Sequence, residues 1–122
     1  MTAPLYFDKV TSMLNKTAVW RQDSARQLAE ALVAIDNIDT MRNFLRDVMT
    51  EQEILEIGSR LEAARMLRSG EKYTDIVAKT KLSSRTVARI SEWLKDGCGG
   101  YASVLSQTAA AHHGHVPPER VG

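Results

Sequence analysis

The sequence predicts an all-α protein, and the positions of its prolines, glycines and apolar residues carry that prediction. The three prolines are Pro4, Pro117 and Pro118, so no residue between 5 and 116 lacks the backbone donor that a helix needs. Glycine is absent before Gly58, and most later glycines separate periodic segments, as expected where helices end. Few segments alternate apolar and polar residues as strands do.

Two helices are expected in the first third of the chain. The first covers Leu5 to Lys16. The second begins at a cap formed by Asp23 or Ser24 and continues to about Ile35. Its second half is apolar nearly all round, at Leu28, Ala29, Ala31, Leu32, Val33, Ala34 and Ile35. A helix of that kind needs cover on several sides.

A short helix is expected next. It begins at a cap formed by Asn37 or Asp39 and ends at Val48. Its apolar stripe consists of Met41, Phe44, Leu45 and Val48, which is the spacing of an amphipathic helix.

The longest helix is expected to follow directly. Thr50 and Glu53 have the spacing of a capping box, in which the threonine oxygen and the glutamate carboxylate each satisfy a backbone donor. Apolar residues then recur at helical spacing, at Ile54, Ile57, Leu61, Ala64 and Leu67. The helix reaches Arg68, and Gly70 ends it.

Residues 74–95 have the pattern of two short helices with a tight turn between them, a spacing typical of a helix-turn-helix. The first helix covers residues 74–80, the turn follows at Lys81, and Ser83 caps the second helix. The apolar residues expected inside this bend are Ile76, Val77, Leu82, Val87, Ile90 and Leu94.

The side chains left pointing outward near the start of the second helix are small or carry donors: Ser84, Arg85, Ala88 and Arg89. Such a face suits the major groove of DNA, and the two arginines lie one helical turn apart. Spacing alone leaves open a plain helical hairpin with a solvated basic face.

The formal net charge of +1 hides an uneven distribution. The net charge is −3 over residues 1–56, +5 over residues 57–95 and −1 over residues 96–122. The cations of the middle segment are Arg60, Arg65, Arg68, Lys72, Lys79, Lys81, Arg85, Arg89 and Lys95. A local excess of this kind is the electrostatic footprint expected of a surface that binds a phosphate backbone.

Composition argues against several other classes of protein. No apolar run approaches the roughly 20 residues of a membrane helix, and no secretory signal is visible, so the cytoplasm is the expected location. Cys98 is the single cysteine, which excludes an internal disulfide and a multi-cysteine metal site, and we interpret it as structural. His112, His113 and His115 are interpreted as part of a flexible tail rather than a metal site. No grouping of residues indicates an enzyme or a cofactor site.

Four stretches carry a family resemblance. They are FLRDVMTEQE at residues 44–53, RLEAARMLRSG at 60–70, YTDIVAKTKLSSRTVAR at 73–89 and WLKDGCGGY at 93–101. Together they resemble the Trp repressor superfamily, and more closely its YerC/YecD-type branch of Trp-repressor-related proteins. The resemblance covers about residues 24–106.

The resemblance implies an intertwined, all-helical homodimer whose two helix-turn-helix units enter successive major grooves of double-stranded DNA. The corresponding domains are an N-terminal, partly helical extension at residues 1–22, a helical domain at 23–108 with its helix-turn-helix at 74–95, and a flexible tail at 109–122. The branch commonly has glycine where this chain has Lys81, so Lys81 is expected to take a positive φ unless the turn itself differs.

The resemblance also implies a position for an effector pocket. The polar residues that line the tryptophan pocket of the Trp repressor fall on Thr50, Arg60, Thr86 and Arg89. A glycine that faces the indole falls on Ile90, and a small serine falls on Trp93. These two larger side chains would occupy the space of the ligand, with Trp93 packed in the core in its place, so tryptophan is not expected to act as corepressor.

The sequence thus predicts a DNA-binding transcriptional repressor that reads specific sequences as a homodimer. Ser83, Ser84, Arg85, Ala88 and Arg89 are expected to face base edges, and Arg68, Lys72, Lys79 and Lys81 are expected to contact phosphates. Two alternatives remain open: a helical module that binds a protein partner, and a repressor that responds to a metabolite smaller than tryptophan.

Overall fold

The structure, a computed structural model, describes the backbone of residues 16–114 and the side chains of residues 16–109. This part of the chain contains one 3-10 turn at Ala18–Arg21, six α-helices and no strand, which confirms the all-α prediction. The helices are α1 (Asp23–Ala34), α2 (Ile38–Val48), α3 (Glu51–Arg68), α4 (Tyr73–Thr80), α5 (Ser84–Asp96) and α6 (Gly100–Gly114). The helix predicted at 5–16 lies outside the described residues except for Lys16.

The chain separates into two compact units, with the boundary between Thr50 and Glu51. The first unit contains the 3-10 turn, α1 and α2. The second contains α3 to α6, in which α3 packs against α4, α5 and α6, and α5 packs against α4 and α6. The candidate site predicted at 74–95 lies wholly in the second unit.

The predicted cap of α1 is wrong. Gln22 occupies the N-cap position and makes no side-chain hydrogen bond to the helix. Asp23 is instead the first helical residue, and its carboxylate pairs with the guanidinium of Arg26 one turn later. Arg26 also donates to the carbonyl oxygen of Trp20, at 2.8 Å, so the carboxylate that was expected to cap the helix is bound to an arginine tied to the preceding turn.

The cap predicted for α2 is confirmed at the first of its two candidate positions. The Thr40 N–H donates to Asn37 Oδ1 at 2.8 Å, and Asp39 lies inside the first turn. Neither α1 nor α2 contains a buried residue within the chain, although both carry large apolar side chains. The Asn37 cap therefore explains where α2 begins, but contacts within the unit do not cover either helix.

The hydrophobic core lies in the second unit and joins all four of its helices. Its buried residues are Ala63, Ala64 and Met66 of α3, Ile76 of α4, Val87 and Ile90 of α5, and Leu105 of α6. Gly70 ends α3 with φ +81°, and its N–H donates to the carbonyl oxygen of Leu67 at 3.0 Å. The glycine was predicted to stop the helix, and it does so in the left-handed conformation that favours glycine.

α6 continues past the boundary predicted at residue 108 and ends at Gly114. Its backbone includes His112 and His113, whereas His115 lies outside the described residues. Three consecutive alanines at 109–111 favour continuation of a helix, and the next proline occurs only at position 117.

Candidate nucleic-acid interface

The connection between α4 and α5 is three residues long and turns at Lys81. Lys81 has φ +66° and ψ +11°, and its N–H donates to the carbonyl oxygen of Val77 at 2.9 Å. It is the one residue other than glycine with a positive φ in the described part of the chain. The positive φ that the family resemblance implied for Lys81 is confirmed, and the backbone holds an exposed lysine in a conformation that favours glycine.

We expect Lys81→Gly to raise the free energy of unfolding by about 1 kcal/mol, because glycine has no Cβ to clash in the left-handed region. Urea denaturation measures the change. Lys72→Gly is the matched control, since Lys72 has an ordinary φ of −74° and its replacement brings no such relief. A Lys81→Gly variant no more stable than the parent chain would show that the turn carries no strain.

Thr80 fixes the same turn from the inside. Its hydroxyl is buried, donates to the carbonyl oxygen of Ile76 at 2.7 Å and accepts from the Leu82 N–H at 3.3 Å. The sequence reasoning missed this residue. A threonine placed two residues before a turn N–H was the available signal, because its hydroxyl can bond to that backbone group.

Ser83 caps α5 as predicted. The Thr86 N–H donates to Ser83 Oγ at 3.1 Å, and Ser83 Oγ donates to the Thr86 hydroxyl at 3.0 Å. Ser83 was also assigned to base edges, but its hydroxyl proton and one of its two acceptor lone pairs are engaged within the helix. Its structural role is therefore to begin α5, and donation of the same proton to DNA would have to compete with the bond to Thr86.

α5 has one buried and one exposed side. Val87 and Ile90 are fully buried, whereas Ser84, Arg85 and Arg89 are exposed and Ala88 is half-buried. Because the buried residues belong to the same core as Ile76 of α4, the exposed arginines are carried by a helix that is fixed from behind. The structure thus brings together the outward face that the sequence predicted on α5.

The four cations assigned to phosphates are all exposed, but two of them have partners within the chain. Lys79 Nζ lies 3.4 Å from Glu62 Oε2 of α3. Arg68 Nη1 donates to the carbonyl oxygen of Ala102 in α6 at 3.4 Å, a long and weak hydrogen bond. Lys72 occupies the N-cap position of α4, and Lys81 lies at the turn.

The residues predicted for an effector pocket are only partly in the predicted environment. Ile90 is fully buried, as expected of a side chain that fills space. Trp93 is 38% exposed, so the single chain does not bury the indole, and its predicted packing in the core stays a prediction. On a helix with 3.6 residues per turn, Trp93 lies about 90° around from the centre of the stripe formed by Val87, Ile90 and Leu94, which explains its exposure.

Arg60 contacts its own helix. Its Nη2 donates to Glu56 Oε2 at 2.8 Å, while its Nε is buried and has no hydrogen-bond partner in the described part of the chain. An open depression beside it is lined by Glu53, Glu56, Ile57 and Arg60. Burial raises the pKa of the Tyr101 phenol, and the positive charge of Arg60 partly opposes that rise.

The two threonines predicted for the effector pocket lie near the starts of helices. Thr50 directly precedes α3. Thr86 lies in the first turn of α5, is half-buried and is bonded to Ser83.

Residues 23–109 match the family model described as Trp repressor protein. The chain belongs to the Trp repressor family. A curated relative, the protein YerC of Bacillus subtilis (strain 168), is 32% identical over 81 residues, which are 66% of this chain and 78% of YerC. The family resemblance found in the sequence is thereby confirmed.

Two solved structures have the same fold. A TrpR-like protein from Eubacterium eligens ATCC 27750 is 34% identical, covers 78% of this chain and 95% of its own, and superposes with a TM-score of 0.70. A structure from Staphylococcus aureus is 24% identical, covers 77% of this chain and 94% of its own, and gives a TM-score of 0.71. The Trp repressor fold is a regulatory DNA-binding fold rather than an enzymatic one, and family membership suggests a DNA-binding regulator.

Neither a membrane-spanning helix nor a cluster of metal ligands occurs among the described residues. No helix in the described range 16–114 combines the length and apolar character required to cross a bilayer. The described side chains also contain no group of three or more potential metal ligands close enough to hold an ion.

Proposed function

We propose that this protein is a transcriptional repressor that binds specific DNA sequences as a homodimer, with α4 and α5 as its helix-turn-helix. The observation that carries the proposal is the division of α5 into a buried side and a donor-bearing side. Arg85 and Arg89 are exposed one turn apart, whereas Val87 and Ile90 anchor the helix in the core. A guanidinium can bond to two acceptors on a guanine edge, so this face supplies the chemistry of base readout.

The surrounding cations support contacts with phosphates. Lys72 and Lys81 are exposed at the two ends of α4, and Lys79 is exposed on its last turn. Contacts of this kind hold a protein in register on the duplex without reading its sequence. They also make binding depend on salt, because each neutralised phosphate releases counterions.

The first unit supports a homodimer. Val33 of α1 is 85% exposed and Ile38 of α2 is 61% exposed, although both helices are well formed. Apolar side chains on otherwise uncovered helices gain most by burial against another surface. A second copy of this chain supplies that surface in our proposal, and two copies present two reading helices to two half-sites.

We further propose that tryptophan is not the corepressor. The fully buried Ile90 supports this, since a side chain already fills the position where the family places a glycine beside the indole. The partnerless Arg60 Nε supports one alternative, a repressor that responds to a metabolite smaller than tryptophan. An α4–α5 pair that binds a protein partner is the other alternative.

The test begins with selection of bound sequences from random DNA, followed by band-shift titrations on the selected duplex. We expect Arg85→Ala to weaken binding by about 1–3 kcal/mol, roughly 5- to 150-fold, with lost preference at one base pair. Lys95→Ala is the matched control, because it removes one exposed positive charge from the same helix about 15 Å along its axis.

Several outcomes would count against the proposal. If Arg85→Ala changed neither affinity nor base preference, Arg85 would not be a reading residue. Recovery of no preferred sequence would favour the protein-binding module. Titrations repeated with L-tryptophan are expected to give unchanged affinity, and tighter binding would establish tryptophan as an effector.

A further inference from the structure

Glu62 of α3 is a carboxylate that lies beside two of the cations of the second unit, Arg65 and Lys79. Its carboxylate accepts from Arg65 Nη1 one turn along α3 through Oε1, and it lies 3.4 Å from Lys79 Nζ of α4 through Oε2. Its side chain is 31% exposed, whereas those of Arg65 and Lys79 are 53% and 65% exposed. One partly buried carboxylate thus faces two exposed cations on two different helices.

This pairing contributes little to stability. Ion pairs between exposed side chains are weak, because water and salt screen them and both side chains lose freedom. The core residues Ala63, Ala64 and Ile76 already hold α3 and α4 together. The carboxylate therefore has a larger effect on the electrostatic potential of the surface than on the fold.

The effect on that potential is opposite to what a DNA-binding surface needs. Lys79 is one of the cations proposed to contact phosphates, and a phosphate that approaches it must compete with Glu62. The carboxylate also repels the phosphate directly, since both charges lie well within the screening length of about 8–10 Å at moderate salt.

We propose that Glu62 limits the affinity of the α4–α5 pair for DNA by pairing with Lys79 and Arg65. This inference rests on the proposed function. Because phosphate contacts do not depend on sequence, Glu62 weakens binding to every duplex by the same factor, and the ratio of specific to non-specific affinity stays as the base contacts of α5 set it. Glu62 is an affinity-setting residue that acts through its cations, not a residue that reads bases.

The test compares Glu62→Gln with the parent protein on the selected duplex and on a scrambled duplex. We expect the variant to bind both about tenfold more tightly at 50 mM salt and about threefold more tightly at 200 mM, because one additional neutralised phosphate steepens the salt dependence by about 0.9 in log–log slope. Glu51→Gln is the matched control, since it removes an exposed carboxylate from the same helix about 16 Å away along its axis.

A second variant assigns the effect to the ion pair. In a chain that already carries Lys79→Ala, Glu62→Gln is expected to improve binding by less than half as much on a logarithmic scale, because the released cation is missing. Urea denaturation is expected to give the same midpoint for Glu62→Gln and the parent, which separates this role from a structural one.

Three results would overturn the inference. If Glu62→Gln bound a duplex with the same affinity as the parent, Glu62 would not set the affinity for DNA, and the proposed function would stay intact. Uniformly weaker binding would show that Glu62 positions Lys79 for its phosphate. A parent protein that binds neither duplex at 50 mM salt would overturn the inference together with the proposed function.

Discussion

Replacing Ile76 by alanine is expected to lower the free energy of unfolding by about 2–5 kcal/mol. Ile76 is fully buried and is the residue through which α4 enters the core shared with Val87 and Ile90 of α5. Its carbonyl oxygen also accepts from the buried Thr80 hydroxyl, so the same residue fixes the last turn of α4. A cavity at this position loosens both helices of the proposed reading unit.

Equilibrium unfolding in urea measures this loss, and two further variants serve as comparisons. Ile76→Val removes one methylene and is expected to cost about 0.5–1.5 kcal/mol. Val104→Ala of α6 changes a side chain that is already 44% exposed and is expected to stay within about 0.5 kcal/mol of the parent. Equal losses for Ile76→Ala and Val104→Ala would mean that this core does not hold α4.

Features that depend on a few neighbouring residues could be predicted from the sequence. The Asn37 and Ser83 caps each involve a backbone N–H three residues further along the chain. In both caps the determining atoms lie within one turn, so residue type and spacing contain the necessary information. The positive φ of Lys81 was implied only by the family resemblance, which has a glycine at this position.

The predicted cap of α1 failed because a second residue competed for the same group. Asp23 has the right chemistry for a cap, but the guanidinium of Arg26 binds its carboxylate. Trp93 is apolar and close to the inward stripe of α5, yet its angular position leaves it 38% exposed. Sequence type alone does not show which of two available environments a side chain adopts.

The charges of the second unit are a further feature that the sequence shows only in part. The sequence places a net charge of +5 on residues 57–95, but it does not show which cations are opposed by a carboxylate. Glu62 and Lys79 are 17 residues apart and lie on separate helices, so only their packing brings Nζ within 3.4 Å of Oε2. The binding strength of such a surface depends on these pairings as well as on its net charge.

Val33→Lys is expected to dissociate the proposed homodimer. Val33 is 85% exposed in the single chain, and full burial of a side chain of this size contributes roughly 1.5–3 kcal/mol. A twofold interface contains the position twice, so loss of both contacts amounts to roughly 3–6 kcal/mol, or about two to four orders of magnitude in the dissociation constant. Sedimentation over a concentration series measures the change.

Lysine is chosen at this position because it does not weaken α1 itself. Val33 lies in the last turn of the helix, where a positive charge interacts favourably with the helix dipole, so circular dichroism is expected to show unchanged helicity. Gln27→Lys is the matched control, because it adds the same charge at an exposed polar position of α1 and is expected to leave association intact. A parent chain that sediments as a monomer at micromolar concentration would contradict the dimer directly. If the dimer forms as proposed, Val33→Lys also weakens binding to the selected duplex, since each separated subunit contacts one half-site and loses the gain from binding two half-sites at once.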